Sequence, residues 1–179
     1  MDDYRLRAAT FDDIPALEAL IRVSAHELSV GDYSGEQVEK ALQGVFGVDT
    51  QLLKDQTYFV IETDNGLAAC GGWSYRATLF GSDQRRERDP SPLDPKKDAA
   101  KIRAFFVHPG HARQGLGTWL LSHCEQCAKD KGFTCLEMGA TVPGERMYAR
   151  RGYRAIRDEE YPMGDGLTLK IITMAKDVG

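Results

Sequence analysis

Residues 102–132 read IRAFFVHPGHARQGLGTWLLSHCEQCAKDKG. Three pieces follow one another without a gap. Residues 102–107 are apolar, aromatic and β-branched, the composition of a buried strand. Residues 108–117 hold Pro109, Gly110, Gly115 and Gly117 and make a turn-rich loop. Leu116, Leu120, Cys124, Cys127 and Ala128 then share one face at helical spacing, which predicts a helix over 116–131. Gly132 stands where a glycine ends a helix, with Lys129 and Lys131 in the last turn, where the helix dipole favours cations.

Strand, glycine loop and helix together suit an anion. The first turn of a helix leaves N–H groups without intrahelical partners, and the dipole adds positive charge there. Glycines let that backbone approach a ligand closely. A tight connection whose glycines serve only the turn accounts for the same residues, so ligand site and plain turn stand level at this point. Of two familiar phosphate loops, one is excluded and the other weakened. A P-loop requires G-x-x-x-x-G-K-S/T, whereas Gly115 is followed by Leu116 and Gly117. A dinucleotide fingerprint requires G-x-G-x-x-G, and Leu120 occupies the third glycine position after Gly115 and Gly117.

The 179 residues suffice for one domain with a single substantial core. A hydrophobic share of 42% and a charged share of 28% belong to a soluble globular chain. The net charge of -4 supplies no general attraction for nucleic acid or an anionic membrane. Neither a transmembrane run nor a signal segment is legible, which leads to the expectation of a cytoplasmic protein. Cys124 and Cys127 lie i, i+3 on the apolar helix face without a second paired motif. Together with Cys70 and Cys135 they read as reduced core thiols, and no metal site is expected.

Around this centre the chain alternates between strand and helix patterns. A strand over 4–8 is followed by a capping-box-like start at Thr10 to Asp13 and a helix to about Glu27. Ser34 with Gln37 caps a second helix to about Gly44, and 49–54 is a short helical turn. Residues 58–63 and 67–75 flank Asp64-Asn65-Gly66 as a hairpin, with Gly71 and Gly72 inside its second strand. Residues 76–99 form a long polar insertion; its charge run is a solvated face, or alternatively a substrate lid or subunit contact. Strands follow at 134–138, 153–158 and 167–175, with a loop over 139–144, a short helix over 145–151, and a last hairpin loop holding Pro162, Gly164, Asp165 and Gly166. The fold class is therefore α/β (α+β), with a mostly antiparallel mixed sheet of about six or seven strands and about four helices, in one domain over 1–179.

This order resembles the GNAT N-acetyltransferase superfamily over nearly the whole chain. FFVHPGHARQGLGTWLL is similar to the family's strand followed by an R/Q-x-x-G-x-G/A loop that opens a helix. The segment from Gly144 through Tyr148 to Gly152-Tyr153 resembles A-x-x-x-Y-x-x-x-G-F/Y. Ala112 occupies the first loop position, with Arg113 and Gln114 after it, and Gly144 stands where alanine is usual.

The resemblance implies acetyl transfer from acetyl-CoA to a primary amine. It places the cosubstrate's pyrophosphate on the N–H groups of Arg113, Gln114, Gly115, Leu116, Gly117 and Thr118. It places the pantetheine arm along Phe105, Phe106 and Val107, with the Val107 N–H facing the developing oxyanion. Tyr148 is the implied general acid for the departing thiolate, because a phenol with pKa about 10 is protonated at neutral pH. For the base, Glu137 is selected, against an outward-facing strand carboxylate or a water chain; Glu159, Glu160 and His108 are further candidates. Arg146, Arg150 and Arg151 are candidates for the 3′-phosphate or for a solvated face. Trp73, Tyr75 and Arg76 are placed on the acceptor side, with 73–99 and the 159–166 hairpin as the regions around it. The partner is a small-molecule or peptide amine, with no nucleic acid and no membrane. A dimer is common in the resembling family. The competing readings are a non-catalytic acyl-CoA-binding sensor or partner module, and a nucleotide-binding protein.

Overall fold

The computed structural model describes residues 3–179. In chain order it comprises β1 (Arg5–Ala8), α1 (Ile14–Leu28), α2 (Gly35–Ala41), α3 (Thr50–Lys54), β2 (Tyr58–Thr63), β3 (Gly66–Ser74), β4 (Ala100–Val107), α4 (Leu116–Asp130), β5 (Cys135–Thr141), α5 (Glu145–Arg150), β6 (Arg154–Gly164) and β7 (Leu167–Asp177). The helix boundaries have local causes. A short 3-10 turn leads into α1, where the Asp13 carboxylate accepts the Thr10 N–H at 2.7 Å. At α2, Ser34 Oγ accepts the Gln37 N–H and Gln37 Oε1 accepts the Ser34 N–H, a complete capping box. The helix stops before the expected Gly44 because the Phe46 N–H turns back onto the Ala41 carbonyl at 2.8 Å.

Among the described residues one sheet runs in the order β1-β2-β3-β4-β5-β7-β6, and of its strand pairs only β4–β5 is parallel. The side chains of α4 cover one face together with Trp73, Phe133, Leu136 and Met138. On the other face α1, α2 and α3 cover Tyr58, Val60, Cys70 and Ile171. Strand β5 is longer than its sequence suggests, because Gly139 to Thr141 keep pairing with β7. Strand β6 also runs on, through Pro162. It is an edge strand, where the missing N–H of proline needs no partner. The connection to β7 then tightens to Gly164-Asp165-Gly166, all at positive φ.

Two irregularities in the middle of the sheet shape everything that follows. First, β4 and β5 pair only at Ala100/Leu136 and Lys101/Glu137, and beyond these residues they have no register. Second, β4 carries a bulge against β3: Cys70 faces Phe106 and Gly72 faces Arg103, so β4 has one more residue across this interval. Ala104 takes φ 55 there, a left-handed conformation that costs about 1 kcal/mol or more for a residue with a Cβ. Gly71 makes room for it, since a Cβ at Gly71 would lie 2.5 Å from the Phe105 ring.

The 76–99 insertion is not merely a solvated face. Arg85 turns inward, its guanidinium 3.9 Å from the Phe80 ring centroid and bonded to the Phe80 carbonyl at 2.7 Å. Arg88 bonds the Gly81 and Ser82 carbonyls and reaches Asp49 at 2.8 Å. Asp49 also holds Arg103 of β4 at 2.7 Å, and both are nearly sealed from solvent. A carboxylate between two guanidinium groups thus staples the insertion to the central strand.

All four cysteines are free thiols, as their helical and strand positions predict. Burial pushes the Cys70 thiol up to about 12, and burial pushes the Tyr33 phenol up to about 12. Both groups stay protonated in the folded state while the unfolded chain already loses its protons, so the folded state is favoured below the unfolded pKa values of 9.0 and 10.0. Stability is therefore expected to stay level up to about pH 9 and to fall between pH 9 and 12. Urea titrations across the alkaline range check this; a midpoint unchanged through that window contradicts it.

No helix among the described residues is long and apolar enough to cross a membrane. No group of three or more His, Cys, Asp or Glu side chains among them is arranged to hold a metal ion.

Candidate active site

The divergence of β4 from β5 opens a cleft of about 630 Å³ through the sheet. Its walls include Phe105, Phe106 and Val107 of β4, Met138 to Thr141 of β5, and the start of α4. On the far side of β4 the His108 N–H donates to the Ala68 carbonyl at 2.8 Å. Successive residues of a strand direct their backbone groups to opposite sides, so the N–H and carbonyl of Val107 face the cleft. Part of an internal strand thus presents an unpaired edge, which an extended ligand can complete by backbone pairing.

Helix α4 meets this edge end-on. Its first intrahelical bond runs from the Trp119 N–H to the Gly115 carbonyl, so the N–H groups of Leu116, Gly117 and Thr118 have no partner within the helix. No side chain among the described residues caps them, and no acidic residue lies in the first turn. Arg113 with φ 60 and Gly115 with φ 82 bend the preceding loop so that the helix opens directly on the cleft. Gly117 permits close packing, since a Cβ there would sit 2.8 Å from Met147 Sδ of α5. Bare N–H groups, an uncompensated dipole and the nearby Arg113 and Arg150 side chains make this mouth attractive to an anion. Neither arginine has an ion-pair partner among the described residues.

Tyr148 projects from α5 into the same cleft and is 7% exposed. Its ring lies edge-on to Phe105 at 6.3 Å and to Tyr153 at 6.0 Å. Gly144, in place of a larger residue, comes within 3.1 Å of that ring when a Cβ is added. Burial raises the Tyr148 phenol above its ordinary value, so it is a protonated donor throughout the neutral range. Its hydroxyl has no hydrogen-bond partner among the described residues, which leaves its proton available to a ligand.

Of the residues selected from the sequence, Phe105, Phe106, Val107, Arg113, Gly115, Leu116, Gly117, Thr118 and Tyr148 are brought together here. Gln114 lies outside the lining, and its Oε1 accepts the Tyr4 hydroxyl at 2.8 Å, which ties the loop to the residue just before the first strand. Glu137 is not in the lining either. It sits where β4 and β5 are still joined, ion-paired with Lys101, outside the cleft lining. The alternation of β5 sends Leu136 and Met138 to the α4 core and Glu137 to the opposite face, which corrects its selection as a base. Nδ1 of His108 accepts the Gly110 N–H at 3.0 Å and shapes the turn. Arg150 lines the cleft, whereas Arg146 and Arg151 are exposed beside it.

The expected acceptor side is also corrected. Trp73 is buried beneath α4 against Phe133, and Arg76 is engaged by Asp55 at 2.7 Å. The second end of the cleft is instead formed by the end of α1, by Val45 to Gly47, and by Leu79 to Gly81 of the insertion. Neither Glu159 nor Glu160 lines it. The segments at 24–29 and 45–47 carry no motif in the sequence; only the tertiary fold brings them to the site.

Residues 24–153 match the family model described as acetyltransferase (GNAT) family. Among solved structures, the chain is similar to a GCN5-related N-acetyltransferase from Rhodopseudomonas palustris, with 20% identity, a TM-score of 0.71, and coverage of 99% of this chain and 97% of that one. It is also similar to the PaiA N-acetyltransferase from Thermoplasma acidophilum in complex with coenzyme A, with 16% identity, a TM-score of 0.65, and coverage of 98% and 99%. At these identities the two structures speak for the fold. No curated protein matches the chain.

Proposed function

Because the chain belongs to the acetyltransferase (GNAT) family, whose members transfer acyl groups from acyl-CoA, we propose that it moves an acetyl group from acetyl-CoA to a primary amine. One observation carries this reading. The unpaired edge of β4, the uncapped start of α4 and the buried Tyr148 phenol converge on a single cleft. A long thioester-bearing polyanion fits this set: an edge for its amide-containing arm, N–H groups for its pyrophosphate and a proton donor near its reactive end.

The residues divide the work as follows. The N–H groups of Leu116, Gly117 and Thr118 hold the pyrophosphate, with Arg113 and Arg150 adding charge at the mouth. Phe105, Phe106 and Val107 align the arm along β4. The amine must arrive neutral, since an alkylammonium with pKa about 10.4 has no lone pair to offer. Its nitrogen attacks the thioester carbonyl carbon, and the Val107 N–H stabilises the negative oxygen that develops. The C–S bond then breaks, and the leaving sulfur takes the Tyr148 proton, which the phenolate regains from water before the next turnover. The amine nitrogen loses its proton to water, because no carboxylate among the described residues lines the cleft.

The test combines coenzyme A binding by calorimetry with free-thiol release from acetyl-CoA across a panel of amines. Micromolar or tighter binding together with amine-dependent thiol release supports the reading. Binding without release from any amine would replace it with an acyl-CoA sensor.

A further inference from the structure

The cleft passes through the sheet, so its two ends are chemically different places. The end on the α4 face holds the bare helix N-terminus with Arg113 and Arg150. The end on the α1 and α2 face is walled by Leu28, Val45, Phe46, Leu79, Phe80 and Ile171. Resting on the transferase reading above, we propose that this second end takes a primary amine borne on an apolar, uncharged body of the arylalkylamine class.

Three observations support this choice over the other amines. The wall is mostly apolar, with Ser24 and Ser29 of α1 its uncharged polar side chains, and it is held in place: Phe46 packs edge-on to Phe106 at 5.8 Å, and Phe80 is clamped between Tyr161 at 5.2 Å and the Arg85 guanidinium. Gly139 lets Phe80 approach β5, because a Cβ there would meet the Phe80 ring at 3.1 Å. Next, no Asp or Glu among the described residues lines either end. A second ammonium on a polyamine or aminoglycoside would lose its water here without gaining a partner, which is costly. Finally, the guanidinium that lines this end belongs to Arg103, while Arg85 sits behind Phe80, outside the lining and bonded to the Phe80 carbonyl. Arg103 is 3% exposed and already bonded to Asp49, Thr78 and Gly81. The carboxylate of a free amino acid would therefore find no available cation.

The insertion acts here as a specificity element. It contributes Leu79 and Phe80, and the Asp49–Arg88 and Asp49–Arg103 contacts hold them against the cleft. Leu28 stands at the opening, 39% exposed, so its substitution alters the entrance without disturbing the core.

The experiment compares kcat/KM for 2-phenylethylamine, spermidine, glycine and a lysine-containing peptide, each with acetyl-CoA. The aromatic amine is expected to lead spermidine and glycine by at least about tenfold, the scale on which an apolar pocket discriminates. Leu28→Asp supplies the missing carboxylate and is expected to lower the rate with 2-phenylethylamine and raise that with spermidine. Val45→Asp tests the same point from the opposite wall, should the first variant fold poorly. Equal or better turnover of spermidine, glycine or the peptide overturns this inference and leaves acetyl transfer standing. An amine preference unchanged by either carboxylate also overturns it. Absence of coenzyme A binding and of thiol release with every amine removes the transferase reading and this inference together.

Discussion

Tyr148→Phe is expected to lower kcat for acetyl transfer by about 10²- to 10⁴-fold, the usual contribution of a positioned general acid. Coenzyme A binding is expected to be unchanged. The substitution removes one oxygen and its proton and keeps the ring that packs on Phe105 and Tyr153. Because the Tyr148 hydroxyl has no hydrogen-bond partner among the described residues, its loss leaves no buried group orphaned, and folding stability should hold. Burial raises the phenol pKa, so the acid stays loaded through neutral pH and the loss should persist across that range. Steady-state kinetics with several amines, alongside calorimetry with coenzyme A, separates the outcomes. A fall in kcat at constant affinity assigns the hydroxyl to the chemical step. Unchanged kcat removes Tyr148 from the mechanism.

The second large effect is structural. Asp49→Ala is expected to destabilise the protein by about 3–5 kcal/mol, as breaking a buried ion pair from one side does. Arg103 is 3% exposed and Asp49 1% exposed. Burial works against the Arg103 guanidinium, and Asp49 is the charge that offsets it. The substitution also takes the carboxylate from Arg88, which keeps its bonds to the Gly81 and Ser82 carbonyls, and removes the Asp49 cap from the Gln51 N–H of α3. The double replacement Asp49→Leu with Arg103→Met should recover part of the loss, because apolar side chains of similar size relieve the unpaired charge. Urea unfolding of both variants reads this directly. A single variant within about 1 kcal/mol of wild type, the range of an exposed pair, would show that the network contributes little.

The parts of this molecule that are legible in the sequence are those governed by neighbours along the chain. The Ser34–Gln37 capping box, the Asp64-Asn65-Gly66 hairpin and the 102–132 strand–loop–helix all depend on contacts within a few residues, and each forms where its pattern lies. Glu137 illustrates the limit. Its place on β5 is readable, but its partner Lys101 comes from a parallel neighbour strand whose register no local pattern encodes. The 84–89 charge run was opaque for a related reason. Its polarity describes a solvated face equally well until Asp49, 39 positions from Arg88, turns one of its arginines inward. The second end of the cleft depends entirely on such distant meetings, since Leu28, Phe46, Phe80 and Ile171 converge from four separate segments.

The central claim is that coenzyme A lies along the open edge of β4 and against the start of α4. Residue-resolved hydrogen exchange with and without saturating coenzyme A tests it most directly, because these amides lack partners within the sheet or the helix. The account predicts slowed exchange at Val107, Leu116, Gly117 and Thr118, with the Ala100–Lys101 end of β4, already paired to β5, unchanged. Protection confined to other segments, or none at those four amides with coenzyme A bound, would contradict it.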